Sequence, residues 1–152
     1  MPPVGTPERP ILLVEDSARD AELLADALGG EIDAERVVHV RDGAEALEFL
    51  RREGAFAARV GPQPALILLD LKMPRMNGME LLAVVKADER LRYIPVVLMT
   101  SSQQDQDLAA AYSLGVNAYV RKPLVFDEFV RTARHIIGFW ATLNLLPAVE
   151  LQ

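Results

Sequence analysis

The sequence predicts a doubly wound α/β domain: a five-stranded parallel sheet with helices on both faces and an extended C-terminal helix. Two observations carry that expectation. Five short apolar runs alternate with stretches of about 10–15 residues that keep helical spacing, the pattern of repeated βα units. The third run, Ile67, Leu68 and Leu69, has no polar alternation, ends in the single carboxylate Asp70, and is followed by Pro74 and by Asn77 and Gly78. A run of that kind reads as a strand buried on both faces. Its carboxyl end would lie where an open α/β sheet presents its ligand crevice.

Residues 1–9, rich in Pro, Gly and charge, read as a flexible leader. Ile11, Leu12, Leu13 and Val14 make the first strand and run into Glu15 and Asp16. Ser17 and Asp20 resemble a capping pair. Ala21, Leu24, Ala25 and Leu28 then keep helical spacing until Gly29 and Gly30 stop the helix. Residues 36–40 form the second strand, with His39 packing or facing solvent. Asp42 and Glu45 open a second helix carrying Ala46, Leu47, Phe49 and Leu50. Residues 51–64, basic and then punctuated by Gly and Pro, read as a frayed helix end and a long loop whose arginines face solvent.

Residues 65–69 are the third strand. Asn77 with Glu80 caps a third helix whose inner face carries Leu81, Leu82 and Val85. Residues 94–99 form the fourth strand and lead into Thr100, Ser101 and Ser102. A weaker fourth helix covers residues 103–114, with Leu108, Ala111 and Leu114 as its apolar stripe, and Gly115 ends it. The fifth strand spans residues 116–120, followed by Arg121, Lys122 and Pro123. A fifth helix runs from Phe126 to about Leu143.

Composition narrows the function. The 152 residues suffice for one domain with a real core. A net charge of −6 argues against nucleic acid or an anionic membrane as partner, since phosphate binding needs clustered Lys and Arg. With no cysteine, disulfides, thiolate metal sites and Cys nucleophiles are excluded. Residues 1–10 lack the basic start and apolar stretch of a signal peptide. No segment approaches the roughly 18 apolar residues of a membrane span. The expected location is the cytoplasm.

Strands one, three, four and five terminate in Glu15 and Asp16, Asp70, Thr100 and Lys122 respectively. A parallel sheet would bring all of them to one edge. At an effective dielectric of 20, two carboxylates about 4 Å apart repel by about 4 kcal/mol, and one lysine cannot balance three of them. The set therefore implies a divalent cation. Oxygen ligands with open positions suit Mg²⁺. A carboxylate can also serve as a nucleophile and form an aspartyl phosphate. Phosphoryl transfer needs mainly positioning and charge neutralisation. The Thr100 hydroxyl would then hydrogen-bond a phosphoryl oxygen.

Taken together, Val14-Glu15-Asp16, Leu69-Asp70-Leu71-Lys72-Met73-Pro74 with Asn77-Gly78, Met99-Thr100-Ser101, and Tyr119 with Lys122-Pro123 resemble the receiver domain of two-component response regulators. The resemblance covers residues 10–137. It implies the flavodoxin-like strand order 2-1-3-4-5 and phosphorylation of Asp70 from the phosphohistidine of a sensor histidine kinase. It further implies Mg²⁺ held by Asp16, Asp70 and the backbone carbonyl of Lys72, with Glu15 helping through water. Thr100 and Tyr119 would be the switch pair, Lys122 the phosphoryl contact, and the Lys122–Pro123 bond cis. Where receivers usually carry a capping Asp or Ser, this chain has Val125. Asp127 and Glu128 in the first turn offset part of that loss through the helix dipole. Lys72 is read first as an exposed lysine and second as a group tuning phosphoryl lifetime.

Three competing functions fit less well. A haloacid-dehalogenase-like phosphohydrolase needs a second Asp where Lys72 stands. A flavodoxin-like cofactor carrier needs a Ser/Thr/Gly-rich phosphate loop where Glu15, Asp16 and Ser17 stand. A degenerate, unphosphorylated receiver would lack an acid or the lysine, and none is missing.

Residues 138–152 extend the last helix and tail. Phe126, Val130, Ala133, Ile137 and Trp140 form one apolar stripe on that helix, and Phe129, Ile136, Phe139 and Leu143 another. A helix apolar around most of its girth is covered from more than one side. A homodimer interface built on Phe129, Phe139, Trp140 and Leu143 is the preferred expectation; the alternative is a tail folded back over its own domain. Gly138-Phe139-Trp140 followed by Leu145-Leu146-Pro147 resembles single-domain receivers that partner phytochrome-type histidine kinases. Too few residues follow the receiver for an output domain, so signalling is expected to run through contacts with an unidentified downstream protein.

Overall fold

A computed structural model describes residues 9–29 and 32–147. Five strands, β1 (Ile11–Val14), β2 (Val37–Val40), β3 (Leu66–Leu69), β4 (Val96–Thr100) and β5 (Ala118–Arg121), form one sheet in the order β2-β1-β3-β4-β5. All four pairings are parallel, with Val14 beside both Val40 and Leu69, and Thr100 beside Arg121. Five helices follow the strands: α1 (Ala18–Leu28), α2 (Gly43–Arg51), α3 (Gly78–Ala87), α4 (Asp105–Ser113) and α5 (Phe126–Gly138). This is the predicted doubly wound arrangement.

Alternation along each strand divides the core in two. Leu12, Val14, Ile67, Leu69 and Leu98 face α2 and α3, packing on Leu47, Leu50, Leu81 and Leu82. Ile11, Leu13, Leu66, Leu68, Val97 and Met99 face the other way, toward Leu24 and Leu28 of α1 and Ala133 and Ile137 of α5. Every residue of β1, β3 and β4 is buried, which is why these strands read as unbroken apolar runs. At about 1.5–3 kcal/mol per large side chain, this burial is the main stabilising term.

Three helix starts behave as predicted. Ser17 accepts from the Asp20 amide, Asp42 from the Glu45 amide, and Asn77 and Glu80 form a reciprocal capping box. Val125 gives α5 no side-chain cap.

Other expectations are corrected. Thr100 is the last residue of β4 rather than the first beyond it. Arg9, assigned to the leader, is buried: its guanidinium donates to Gln63 O at 3.0 Å and to Pro147 O at 2.9 Å. Residues 1–8 lie outside the described residues. Within 51–64, Arg59 is not a solvated arginine. It donates to Phe49 O and Pro62 O, and its guanidinium lies 4.0 Å over the Phe49 ring, so a planar cation closes the loop where an apolar side chain could not satisfy the carbonyls. The Lys122–Pro123 bond is trans, since no described peptide bond is cis. The preference between isomers is only about 0.5–1 kcal/mol, and the exposed loop of Leu124 and Val125 offers no packing to overturn it.

The last helix also departs from expectation. Regular α-helix ends at Gly138, and Phe139–Leu143 form a π-helical turn in which the Asn144 amide donates to Phe139 O, five residues back, at 2.8 Å. The wider turn rotates Ala141 into the core and Trp140 against it. Phe129, expected at an interface, is instead only 9% exposed and packs in its own domain. The reason is periodicity: the buried face of α5 is Phe129, Ala133, Ile136 and Ile137, drawing on both predicted stripes. The tail lies back along its own domain, as Arg36 donates to Ala141 O at 3.5 Å and Arg9 to Pro147 O. Residues 148–152 lie outside the described residues.

Candidate acidic site at the strand ends

Parallel pairing alone brings the chemistry to one edge, and backbone hydrogen bonds continue past the strands to hold it there. The Glu15 amide donates to Val40 O at 3.0 Å, that of Asp70 to Val14 O at 3.1 Å, and that of Lys122 to Thr100 O at 2.7 Å. His39 adds a bond that sequence reasoning missed: its Nε2 lies 2.6 Å from Glu15 O. A carbonyl can only accept, so that nitrogen carries the proton. The sequence signal was its place one residue before the end of β2, beside Leu13 two residues before the first acid.

Glu15, Asp16 and Asp70 each offer a carboxylate oxygen, and these lie within 4.8 Å of one another. Asp70 Oδ1 accepts from the Leu71 amide at 2.7 Å, and Glu15 Oε1 from the Ser17 amide at 3.1 Å. Burial raises the Glu15 carboxyl to about 7, with the Asp70 charge adding to the shift. Burial likewise raises Asp70 above the ordinary carboxylate range, although Lys122 and two backbone amides oppose it. Three crowded oxygen donors fit a divalent cation, which would supply the missing positive charge.

This crowding predicts a pH effect. Between about 4.5 and about 7, the folded chain retains a proton on Glu15 that the unfolded chain has lost. The stabilisation is therefore complete at the acid end and is lost as pH rises through 7. A shift of this size corresponds to about 3 kcal/mol. With chelator present, the urea midpoint should fall between about pH 5 and about pH 8, and Glu15→Gln should flatten that fall. An unchanged slope in the variant would show that Glu15 is not its source.

Lys122 faces these acids. Its Nζ lies 2.9 Å from Asp20 Oδ2 and 3.7 Å from Glu15 Oε2, with the Phe129 ring 5.7 Å away. Burial works against its charge, but the Asp20 hydrogen bond and the charges of Glu15, Asp20 and Asp70 outweigh it and raise the pKa. Asp20 was read only as a helix-capping residue. Its amide does bond Ser17, but its side chain goes to Lys122. Thr100 is 1% exposed, and its Oγ1 accepts from the Ser102 amide at 3.1 Å. Tyr119 packs beside the core on β5, its hydroxyl buried with no hydrogen-bond partner among the described residues. Lys72 is exposed beside the acids.

The response regulator receiver domain family matches residues 11–134, which span the whole sheet and all the strand-end groups. The chain belongs to this family. Among similar proteins, the response regulator Rcp1 of Synechocystis is 37% identical over 95% of this chain and 97% of its own length. Its Mn²⁺-bound crystal structure covers 91% of this chain and 99% of that one with a TM-score of 0.81 at 36% identity. The phosphorylated cyanobacterial phytochrome response regulator RcpA superposes with a TM-score of 0.84 at 38% identity, over 92% of this chain and 99% of that one. The bacteriophytochrome response regulator RtBRR is 52% identical over 91% of this chain and 84% of that one, with a TM-score of 0.68. This receiver thus has relatives among phytochrome response regulators, and its three acids fit the divalent metal that receivers bind. Among the described residues, no helix is long and apolar enough to cross a membrane.

Proposed function

We propose that this receiver is a phosphoacceptor, not an enzyme, in a two-component phosphorelay, taking a phosphoryl group onto Asp70 from a sensor histidine kinase of the phytochrome type. The observation that carries this reading is the convergence of the Glu15, Asp16 and Asp70 carboxylates within 4.8 Å, with the Lys122 ammonium opposite. Mg²⁺ is the proposed cofactor, held by Asp16, Asp70 and the carbonyl of Lys72, with Glu15 acting through water. When bound, it neutralises charge on the transferred group. Asp70 supplies the attacking oxygen, Lys122 a counter-charge, and Thr100 a hydroxyl for a phosphoryl oxygen. Tyr119 would follow Thr100 and reshape the face made by α4, β5 and α5, an equilibrium bias between two states.

The working unit is residues 10–137, with 138–152 as its extension, in the cytoplasm. Output runs through contacts with a downstream protein. A homodimer is proposed through the extension. Phe129 is unavailable for it and Trp140 half-covered, but Phe139 and Leu143 on the π-helical turn and Leu145 just beyond it are 47%, 71% and 80% exposed. Sedimentation should show a dimer that Leu143→Asp weakens; a native monomer at high micromolar concentration, with and without a phosphoryl mimic, would defeat it. For the phosphoacceptor itself, labelling by acetyl phosphate should depend on Mg²⁺ and vanish with chelator. Metal-independent labelling would count against the proposed cofactor.

A further inference from the structure

Lys122 reaches these acids with its ammonium, and its shortest contact is not with the acceptor. Asp20, the third residue of α1, ordinarily would serve the helix N-terminus through its charge. Here its Oδ2 accepts from Lys122 Nζ at 2.9 Å, tying α1 to the end of β5. Among the described residues, the ion pairs of Lys122 within 4.0 Å are those with Asp20 and Glu15. Asp20, Lys122 and Asp70 line one cavity of about 20 Å³, together with Glu15 and Phe129.

We infer that Asp20 is a positioning residue that holds the Lys122 ammonium on the α1 side of the site until a phosphoryl group competes for it. The inference rests on the phosphoacceptor reading. In the step concerned, an Asp70 oxygen attacks phosphorus, a new P–O bond forms, and the P–O bond to the donor breaks. The bonding pair leaves with the donor, which for acetyl phosphate is acetate. Asp70 passes from a monoanionic carboxylate to an acyl phosphate carrying close to two charges at neutral pH. The new group then competes with Asp20 for one cation, and it also meets Asp20 as a like charge. Asp20 therefore opposes phosphorylation, and its removal should favour it. A residue that merely supported the helix would not bias the donor requirement in this way.

The test uses the full chain with Mg²⁺ and acetyl phosphate, comparing native, Asp20→Asn and Asp20→Glu, with helical circular dichroism as the folding check. Asp20→Asn should lower the half-saturating donor concentration roughly two- to fivefold, the range of a partly exposed ion pair, while moving the maximal rate less. Asp20→Glu, which restores the charge, should return the native value. If Asp20→Asn does not fold, Asp20→Ser removes the same charge with a residue suited to helix starts, and the same decrease is expected. Native-like or increased half-saturation in a folded neutral variant overturns the inference, as does failure of Asp20→Glu to restore it. Absence of label on the native chain would instead defeat the phosphoacceptor reading, and this inference with it.

Discussion

Asp70→Asn should reduce labelling by acetyl phosphate and Mg²⁺ to background, a loss on the order of a hundredfold or more, equivalent to at least about 3 kcal/mol in the barrier. The amide keeps the shape of the side chain and removes the nucleophilic oxygen anion. The same substitution removes one of three charges whose oxygens lie within 4.8 Å of one another. At an effective dielectric of 20, each such pair costs about 4 kcal/mol at about 4 Å. The metal-free variant should therefore be more stable to urea than the native chain, although it takes no label. That combination separates a lost acceptor from a lost fold. Equal labelling of the two proteins would refute Asp70 as the acceptor.

Gly78→Ala should destabilise the protein by about 1–3 kcal/mol and loosen the acidic site with it. A Cβ at this position would overlap Asp70 O and lie 2.9 Å from Leu71 Cα, both backbone atoms that cannot rotate away. The Gly78 amide also donates to Leu71 O at 2.9 Å, so the start of α3 presses directly on the chain leaving β3. Any retreat displaces Asp70. Gly138→Ala is the control, because nothing lies within 4 Å of a Cβ there. It should be neutral or stabilising by up to about 1 kcal/mol. Urea midpoints and Mg²⁺ affinity measure both; a Gly78→Ala variant as stable as native would show that the close approach is not needed.

Much of the fold was legible because its signals are local. Ile67, Leu68 and Leu69 could only be a buried strand, and Asn77 with Glu80 could only start a helix well. Partner choice was not legible in the same way. Arg59 read as a solvated charge and Arg9 as part of a flexible leader because nothing in their neighbourhoods names the carbonyls of Phe49, Gln63 and Pro147. Phe129 read as an interface residue because α5 has apolar residues on most sides, and only packing against β1, β3 and β4 selects the buried face. The Lys122–Pro123 isomer was carried over from a resemblance, and a preference below about 1 kcal/mol leaves that choice to local surroundings.

By itself the sequence determined the alternation of strands and helices, the acids and lysine at the strand ends, and hence the receiver family and Asp70 as its candidate acceptor. Hydrophobic periodicity and strand direction suffice for that, since parallel strands must share a carboxyl edge. Only the tertiary structure decided that Lys122 rests on Asp20, that Gly78 must lack a side chain, and that the tail turns through a π-helical step onto its own domain. Those outcomes depend on contacts between residues 102 and 138 positions apart, as Asp20 and Lys122 and Arg9 and Pro147 are. Their energies arise from distance and burial in the folded chain, which no local pattern encodes.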